Sequence, residues 1–367
     1  MECSSNLLRR KGKVVFILGA TGAGKSKLSI NLATRFNGEV INSDKMQIYN
    51  GLDVITNKVT EAECADVPHH LLGGVHPDAD FTATDFRREA MLAVESILSR
   101  GCLPIIAGGS NSYVEVLVDG EDGEFRHLYD CCFVWVDVDL QVLHDFVSAR
   151  VDKMVQQGLV EEARGVFDPD GDYSKGVRRS IGVPEMDRYF RAEGKVEEEE
   201  LSRLFVEAIE EIKVNTCKLT CCQLQKIHRF CSMDRWEVHR VDATRFFLNK
   251  RDGLEEEEEV WEKVVGIPST MIVGEFLNRK SNNFISGIIE KNELEEEVEE
   301  KKVNDHLEEQ KDGKGEADCN DIANVALAAA ATATATATAT PTATATATVN
   351  FSSSNGRATV TAVGATV

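Results

Sequence analysis

Residues Gly19, Ala20, Thr21, Gly22, Ala23, Gly24, Lys25 and Ser26 meet the pattern G-x-x-x-x-G-K-[ST]. A loop of this kind turns its backbone N–H groups toward phosphate oxygens. The flanks fit: residues 13–18 are β-branched and aromatic enough for a buried strand, and residues 27–36 carry apolar side chains at helical spacing. Strand, glycine loop and helix N-terminus then follow in the order an anion site needs. The pattern leaves open whose phosphates are held. A kinase or NTPase would bind a nucleotide there, a prenyltransferase the diphosphate that leaves.

Farther along, the chain reads GEVINSDKMQIYNGLDVITNKVT from Gly38 to Thr60. A second strand ending at Asn42 delivers Ser43, Asp44 and Gln47 to the sheet edge that carries the glycine loop, because ligands of such folds bind beyond the carboxyl ends of strands. Asp44 is the best-placed carboxylate; the alternative is that it caps the following turn. In PIIAGGSNSY, Gly108 and Gly109 let backbone approach a ligand closely, and Ser110 and Asn111 offer polar groups. Asp137 ends the apolar run CCFVWVD, where a P-loop ATPase keeps an aspartate for Mg²⁺. Among Arg150, Lys153, Arg178 and Arg179, one guanidinium facing the loop would clamp phosphate; the alternative is ordinary helix-surface charge. His69 and His70 lack an acidic partner at metal spacing and read as loop residues. Cys217, Cys221, Cys222 and Cys231, with His228 and His239, contain no C-x-x-C pair, which favours packing over zinc.

These residues need a parallel sheet to hold them. Strands are expected at residues 14–18, 39–42, 103–107, 132–138 and 237–241, separated by helical patterns at 27–36, 83–99, 140–157 and 201–230, with a last helix over 255–277. Such alternation predicts an α/β fold, a P-loop NTPase-like parallel sheet covered by helices. A short extension (1–12) precedes the first part of the core (13–139). A helical subdomain (140–235) is inserted before the last strand and helix (236–280), where it could act as a lid. Residues 281–367 are acidic, then Thr-Ala repetitive, and are expected to form a disordered tail.

The net charge of −21 argues against a bare electrostatic nucleic-acid binder, and 14 acidic against 5 basic residues fall between Glu290 and Asp321. The ten cysteines read as reduced intracellular thiols. The uncharged run 327–349 is almost wholly Ala and Thr with Pro341 and, beyond Leu327, lacks the Leu, Ile and Phe that drive insertion, so no membrane contact is expected. The opening MECSSNLLRRKG is short for a transit peptide; the cytoplasm is expected, with the plastid as the alternative.

Together GATGAGKS, EVINSDKMQIYNGLDVITNKVT, VPHHLLG, LPIIAGGSNSY, DCCFVWVDV, RVDKMVQQGLVEEAR and RRSIGVPEMDRY resemble the plant adenylate isopentenyltransferases, in order from Lys13 to Leu277. That family is similar in turn to the tRNA dimethylallyltransferases. The resemblance implies transfer of a dimethylallyl group from dimethylallyl diphosphate to the exocyclic amine of ATP, ADP or AMP, the first step of cytokinin synthesis. It implies a P-loop that holds the donor's diphosphate, with Lys25 and a Mg²⁺ ligated by Ser26 stabilising the departing charge. Thr21 is implied as a further contact, Asp44 as the base for the amine proton, Arg150 as a phosphate clamp, and Gln47 and Arg179 as substrate contacts. Small-molecule substrates, no nucleic acid and a monomer are the expected partners. Two positions depart from the family: Cys222 stands where relatives carry an arginine, and Thr220 where alanine is usual. If that arginine touches diphosphate, Lys218 or Lys226 would have to replace its charge. A tRNA-modifying enzyme, a P-loop kinase or NTPase, and an inactive interaction protein are the competing readings.

Overall fold

The computed structural model describes residues 11–279 except 121, 122 and 254. The expected extension is mostly, and the expected tail wholly, outside these residues, as is the Ala-Thr run. Six strands form one parallel sheet in the order β3-β2-β4-β1-β5-β6. They are β1 (Gly12–Leu18), β2 (Gly38–Asn42), β3 (His69–His70), β4 (Leu103–Ala107), β5 (Tyr129–Asp137) and β6 (Val238–Asp242). Strand β1 pairs on both sides, Val15 with Ile105 and with Cys132. Helices cover the sheet on both faces, so β1 is buried on each, which is why it reads as an unbroken apolar run. Val15 and Ile17 enter one core, Val14, Phe16 and Leu18 the other.

Helix α1 (Lys25–Phe36) packs Leu28, Leu32 and Ala33 into the first core, and α2 (Ala83–Ser99) packs Phe86, Ala90, Val94 and Ile97 into the second. A capping box between Thr82 and Asp85 starts α2 where its periodicity begins. Helix α3 (Asn111–Asp119) follows β4. Between β5 and β6 the described residues contain no strand; α4 (Leu140–Gln156), α5 (Leu159–Val166) and the 34-residue α6 (Glu198–Cys231) dominate this stretch. They do not make a core of their own. Val151, Met154, Leu159 and Ile212 pack with Ile48, Tyr49, Leu52 and Ile55 from the segment after β2 in a third cluster. Helix α6 runs from that cluster to the second core, which it enters with Ile227 and Phe230.

Two expectations are corrected. His69 and His70 form the edge strand β3, paired with Val40 and Ile41, rather than a loop. The last helical pattern is also broken: a π turn at Glu262–Gly266 precedes α7 (Ile267–Asn278). Pro268 has no N–H to donate back along the helix, and the wide turn falls immediately before it.

Candidate active site

Because β4 lies between β2 and β1, the loops that follow these three strands open side by side. Gly24, at φ 96°, turns the glycine loop into α1 without a side-chain cap, leaving the helix N-terminus to the loop. The β2 and β4 loops touch backbone to backbone. A Cβ on Gly108 would stand 2.3 Å from the Ser43 carbonyl carbon and 2.5 Å from the Asp44 nitrogen.

Asp44 is held at several points. Its N–H donates to Asn42 Oδ1 (3.0 Å), and its Oδ1 accepts from Met46 N–H (2.9 Å). Asn42 Nδ2 donates to the carbonyls of Asp44 (3.1 Å) and Leu71 (2.9 Å), fixing the turn from below. The other carboxylate oxygen, Oδ2, lies 3.3 Å from where a Cβ on Gly109 would be. One oxygen caps the turn and the other is left to the cavity.

The cations come from two elements. Lys25 Nζ donates to Ala20 O within its own loop (2.7 Å), and Arg150 of α4 donates from Nη2 to Thr21 Oγ1 (3.0 Å). Desolvation pushes the Lys25 ammonium down to about 8, with Asp44 opposing and Arg150 adding to the fall. Desolvation likewise lowers Arg150 to about 10, again opposed by Asp44. The Nε atoms of Arg150 and Arg179 are buried without a protein partner. Buried cationic donors of this kind call for an anion.

A cavity of about 560 Å³ joins these groups. Thr21, Gly22, Gly24, Lys25, Ser26, Asp44, Gln47, Gly108, Gly109, Arg150 and Arg179 line it. Val151, Met154, Ile181, Ile212 and Leu219 give it an apolar wall. Gly19, Ala20 and Ala23 shape the loop from behind. Ser43, Ser110 and Asn111, expected to meet substrate, are not part of the cavity lining, and Ser43 Oγ and Asn111 Oδ1 are buried without a protein partner. Ser43 is buried beneath Gly108, Ser110 Oγ accepts from Lys45 N–H (2.9 Å), and Asn111 Nδ2 donates to the Gln223 carbonyl (3.0 Å). Gln47 Nε2 is occupied by the carbonyls of Thr56 (3.1 Å) and Asn57 (3.2 Å), so it braces the cavity wall. Asp137 is outside the cavity, its carboxylate taken by Arg240 Nε at 2.7 Å. The residue that favoured a P-loop ATPase is thus committed to an ion pair.

Sequence reasoning passed over three residues. Asn42 holds Asp44, as described. Glu162 of α5 accepts from Val54 and Ile55 N–H (2.9 to 3.0 Å) and so ties the 52–57 wall to the helices. Gln223 of α6 accepts from Thr21 N–H (2.7 Å) and donates to Gly109 O (2.9 Å). Its signal was present, because Thr216, Thr220, Gln223, Ile227 and Phe230 are buried at spacings of one helical face, and a glutamine in that row needs polar partners. Thr220, one of the two departures, bonds to Cys217 O (2.7 Å) and His144 Nε2 (2.9 Å). Cys222, the other, is half-buried and is not part of the cavity lining. Of the other cysteines of this helix, Cys217 lies 3.8 Å from Ser148 Oγ and Cys221 3.7 Å from His144, while Cys231 is exposed.

Across 282 residues the chain is 56% identical to adenylate isopentenyltransferase 5, chloroplastic, of Arabidopsis thaliana, covering 76% of this chain and 84% of the relative. The chain belongs to the adenylate isopentenyltransferase family. The model of the wider IPP transferase family matches residues 47–127 and 121–229. Two further adenylate isopentenyltransferases of Arabidopsis thaliana, number 3 (chloroplastic) and number 7 (mitochondrial), are 53% and 51% identical. They cover 73% and 76% of this chain and 80% and 84% of their own. The fold is also that of solved tRNA enzymes. The tRNA isopentenylpyrophosphate transferase of Bacillus halodurans superimposes with a TM-score of 0.56 at 27% identity, over 73% of this chain and 99% of its own. A eukaryotic dimethylallyltransferase acting on tRNA gives 0.58 at 23%, over 74% and 81%.

Proposed function

We propose that this adenylate isopentenyltransferase family member transfers the dimethylallyl group of dimethylallyl diphosphate to N6 of ATP, ADP or AMP and releases diphosphate, opening cytokinin synthesis. The observation that carries the reading is one cavity with three kinds of wall. A glycine loop with Lys25, Thr21 and Arg150 suits a diphosphate, an apolar wall suits a prenyl chain, and the Asp44 carboxylate lies between the β2 and β4 loops. Breaking the allylic C–O bond builds negative charge on the diphosphate, which preorganised N–H groups, Lys25 and Arg150 stabilise as it grows. The adenine amine is a poor nucleophile until it is oriented and relieved of its proton, and Asp44 Oδ2 is the acceptor for that proton. Arg179, with its unpartnered Nε, is assigned to the acceptor's phosphates.

A divalent metal, Mg²⁺, fits the donor set. Ser26 supplies an exposed hydroxyl at the start of α1 in the same cavity, and Mg²⁺ takes one or two protein oxygens while diphosphate and water complete its shell. Bound there, it would neutralise charge on the leaving group. We assign the α4–α6 stretch as a helical subdomain roofing the cavity, and the protein as a monomer acting on small molecules. Transfer RNA is the less favoured acceptor: the net charge is −21, and the relatives sharing more than half their residues are named for adenylate. The compartment we propose is an organelle, the plastid first, in place of the cytoplasm expected from the sequence, because those relatives are named chloroplastic or mitochondrial. Purified protein incubated with Mg²⁺, dimethylallyl diphosphate and each adenine nucleotide is expected to yield a prenylated nucleotide by mass. Prenylation of tRNA alone, or nucleotide hydrolysis without prenylation, refutes the reading.

A further inference from the structure

Helix α6 lines the cavity with Ile212, Thr216 and Leu219, and Gln223, one turn farther on, is where it meets both substrate loops. Its amide is used at both ends: Oε1 accepts from Thr21 N–H at 2.7 Å, and Nε2 donates to Gly109 O at 2.9 Å. A second bond holds the helix to the segment after β4, since Asn111 Nδ2 donates to the Gln223 carbonyl at 3.0 Å. The fit around the amide is tight. A Cβ on Gly109 would come within 2.4 Å of Gln223 Nε2 and 3.3 Å of Asp44 Oδ2, so glutamine amide, glycine and carboxylate occupy one packed row. Thr21, at the far end of the row, also carries the hydroxyl to which Arg150 donates.

We propose that Gln223 is a positioning residue that sets the separation between the glycine loop and the Gly109–Asp44 wall. On the prenyl-transfer reading, on which this inference rests, these two walls hold the two reacting partners. Carbon and nitrogen must be brought to about 3 to 3.5 Å in line, and an error of about 1 Å costs about a hundredfold. A side chain bonded to the main chain of both walls fixes that distance without touching either substrate. Only a neutral side chain with one donor and one acceptor at this reach satisfies both backbone groups. Asparagine is a methylene too short, and a carboxylate would set an oxygen against the Gly109 carbonyl.

Two variants test this. Gln223→Met keeps the volume and removes both bonds; kcat is expected to fall about ten- to a hundredfold at any pH, with the dissociation constants of nucleotide and of inorganic diphosphate within about threefold of wild type. Gln223→Glu can mimic the amide only when protonated, its hydroxyl donating to Gly109 O and its carbonyl accepting from Thr21 N–H. Its kcat relative to wild type is expected to climb as pH falls from about 8 to about 6, because a buried carboxyl facing a carbonyl titrates high. A merely structural glutamine would give no such limb. Amide exchange at Thr21 supplies a readout independent of turnover, and Gln223→Met, which leaves this N–H without its acceptor, is expected to exchange faster there at neutral pH. Unchanged exchange, kcat within twofold in Gln223→Met, or a flat ratio for Gln223→Glu overturns the inference. Wild-type protein that makes no prenylated nucleotide overturns the functional reading instead, and exchange still decides whether Gln223 holds the loop.

Discussion

At Asp44 the capping and basic roles divide between two oxygens of one carboxylate. Oδ1 is spent on Met46 N–H, and Oδ2 faces the row that includes Gly109. Asp44→Asn keeps an oxygen for the cap and loses the charge and basicity. We therefore expect kcat to fall at least about a hundredfold, with little change in melting temperature or in either dissociation constant. Survival of kcat within a few-fold would leave Asp44 as a cap only. Lys25 makes a prediction about pH. Its ammonium is lowered to about 8 by desolvation, so the charge that meets diphosphate is complete well below that value and is lost as pH rises through it. Donor affinity should thus weaken above about pH 8, and diphosphate binding there should take up a proton, measurable by calorimetry in buffers of different ionisation enthalpy. Lys25→Ala should bind donor weakly at every pH without this limb and bind nucleotide nearly as wild type. The folded-state shift also has a stability sign. Because the unfolded chain holds this proton up to its ordinary value near 10.5, the cost of burying the charge is present below about 8 and is relieved between about 8 and 10.5.

At the scale of elements, the contact between the β2 and β4 loops is the most sensitive joint. A Cβ at Gly108 would overlap the Ser43 and Asp44 backbone at 2.3 and 2.5 Å, and backbone cannot yield as a flexible side chain can. Gly108→Ala should displace Asp44 and lower kcat about a hundredfold, while circular dichroism still reports a folded chain. Activity near wild type would separate Asp44 from the chemistry. The elements themselves were largely legible. Strand β1, the glycine loop and α1 announce themselves through an apolar run, glycines and a 3.6-residue period, and α2 lies where its periodicity put it. What escaped was information carried between distant residues. Two-residue β3 is too short to show a period and exists only because β2 offers an edge. The partners of Gln223, Glu162 and Asp137 lie far away in sequence, so only the fold reveals that one braces the loops, one ties the wall and one is consumed by Arg240. Polar side chains spent on backbone, such as Ser110 and Asn111, looked like ligand contacts for the same reason.

At the scale of the whole chain, charge and chemistry are separated along the sequence. Every residue assigned to the site lies between Gly19 and Gln223, whereas 14 acidic and 5 basic residues fall between Glu290 and Asp321. That stretch is rich in charge and poor in large apolar residues, and its net negative charge repels a nucleotide and a diphosphate alike. A chain ending at Lys280 should therefore keep kcat within about a factor of three. Its kcat/KM at low salt should equal or exceed that of the full chain, since a long-range repulsion has been removed. The difference should fade as ionic strength approaches about 0.15 M, where charges more than about 8 Å apart are screened. Steady-state kinetics of the two chains over a salt series checks both statements. A drop in kcat of more than about tenfold on truncation would mean that residues beyond 280 contribute to the site, and a gain that persists at high salt would mean that they act by contact rather than by charge.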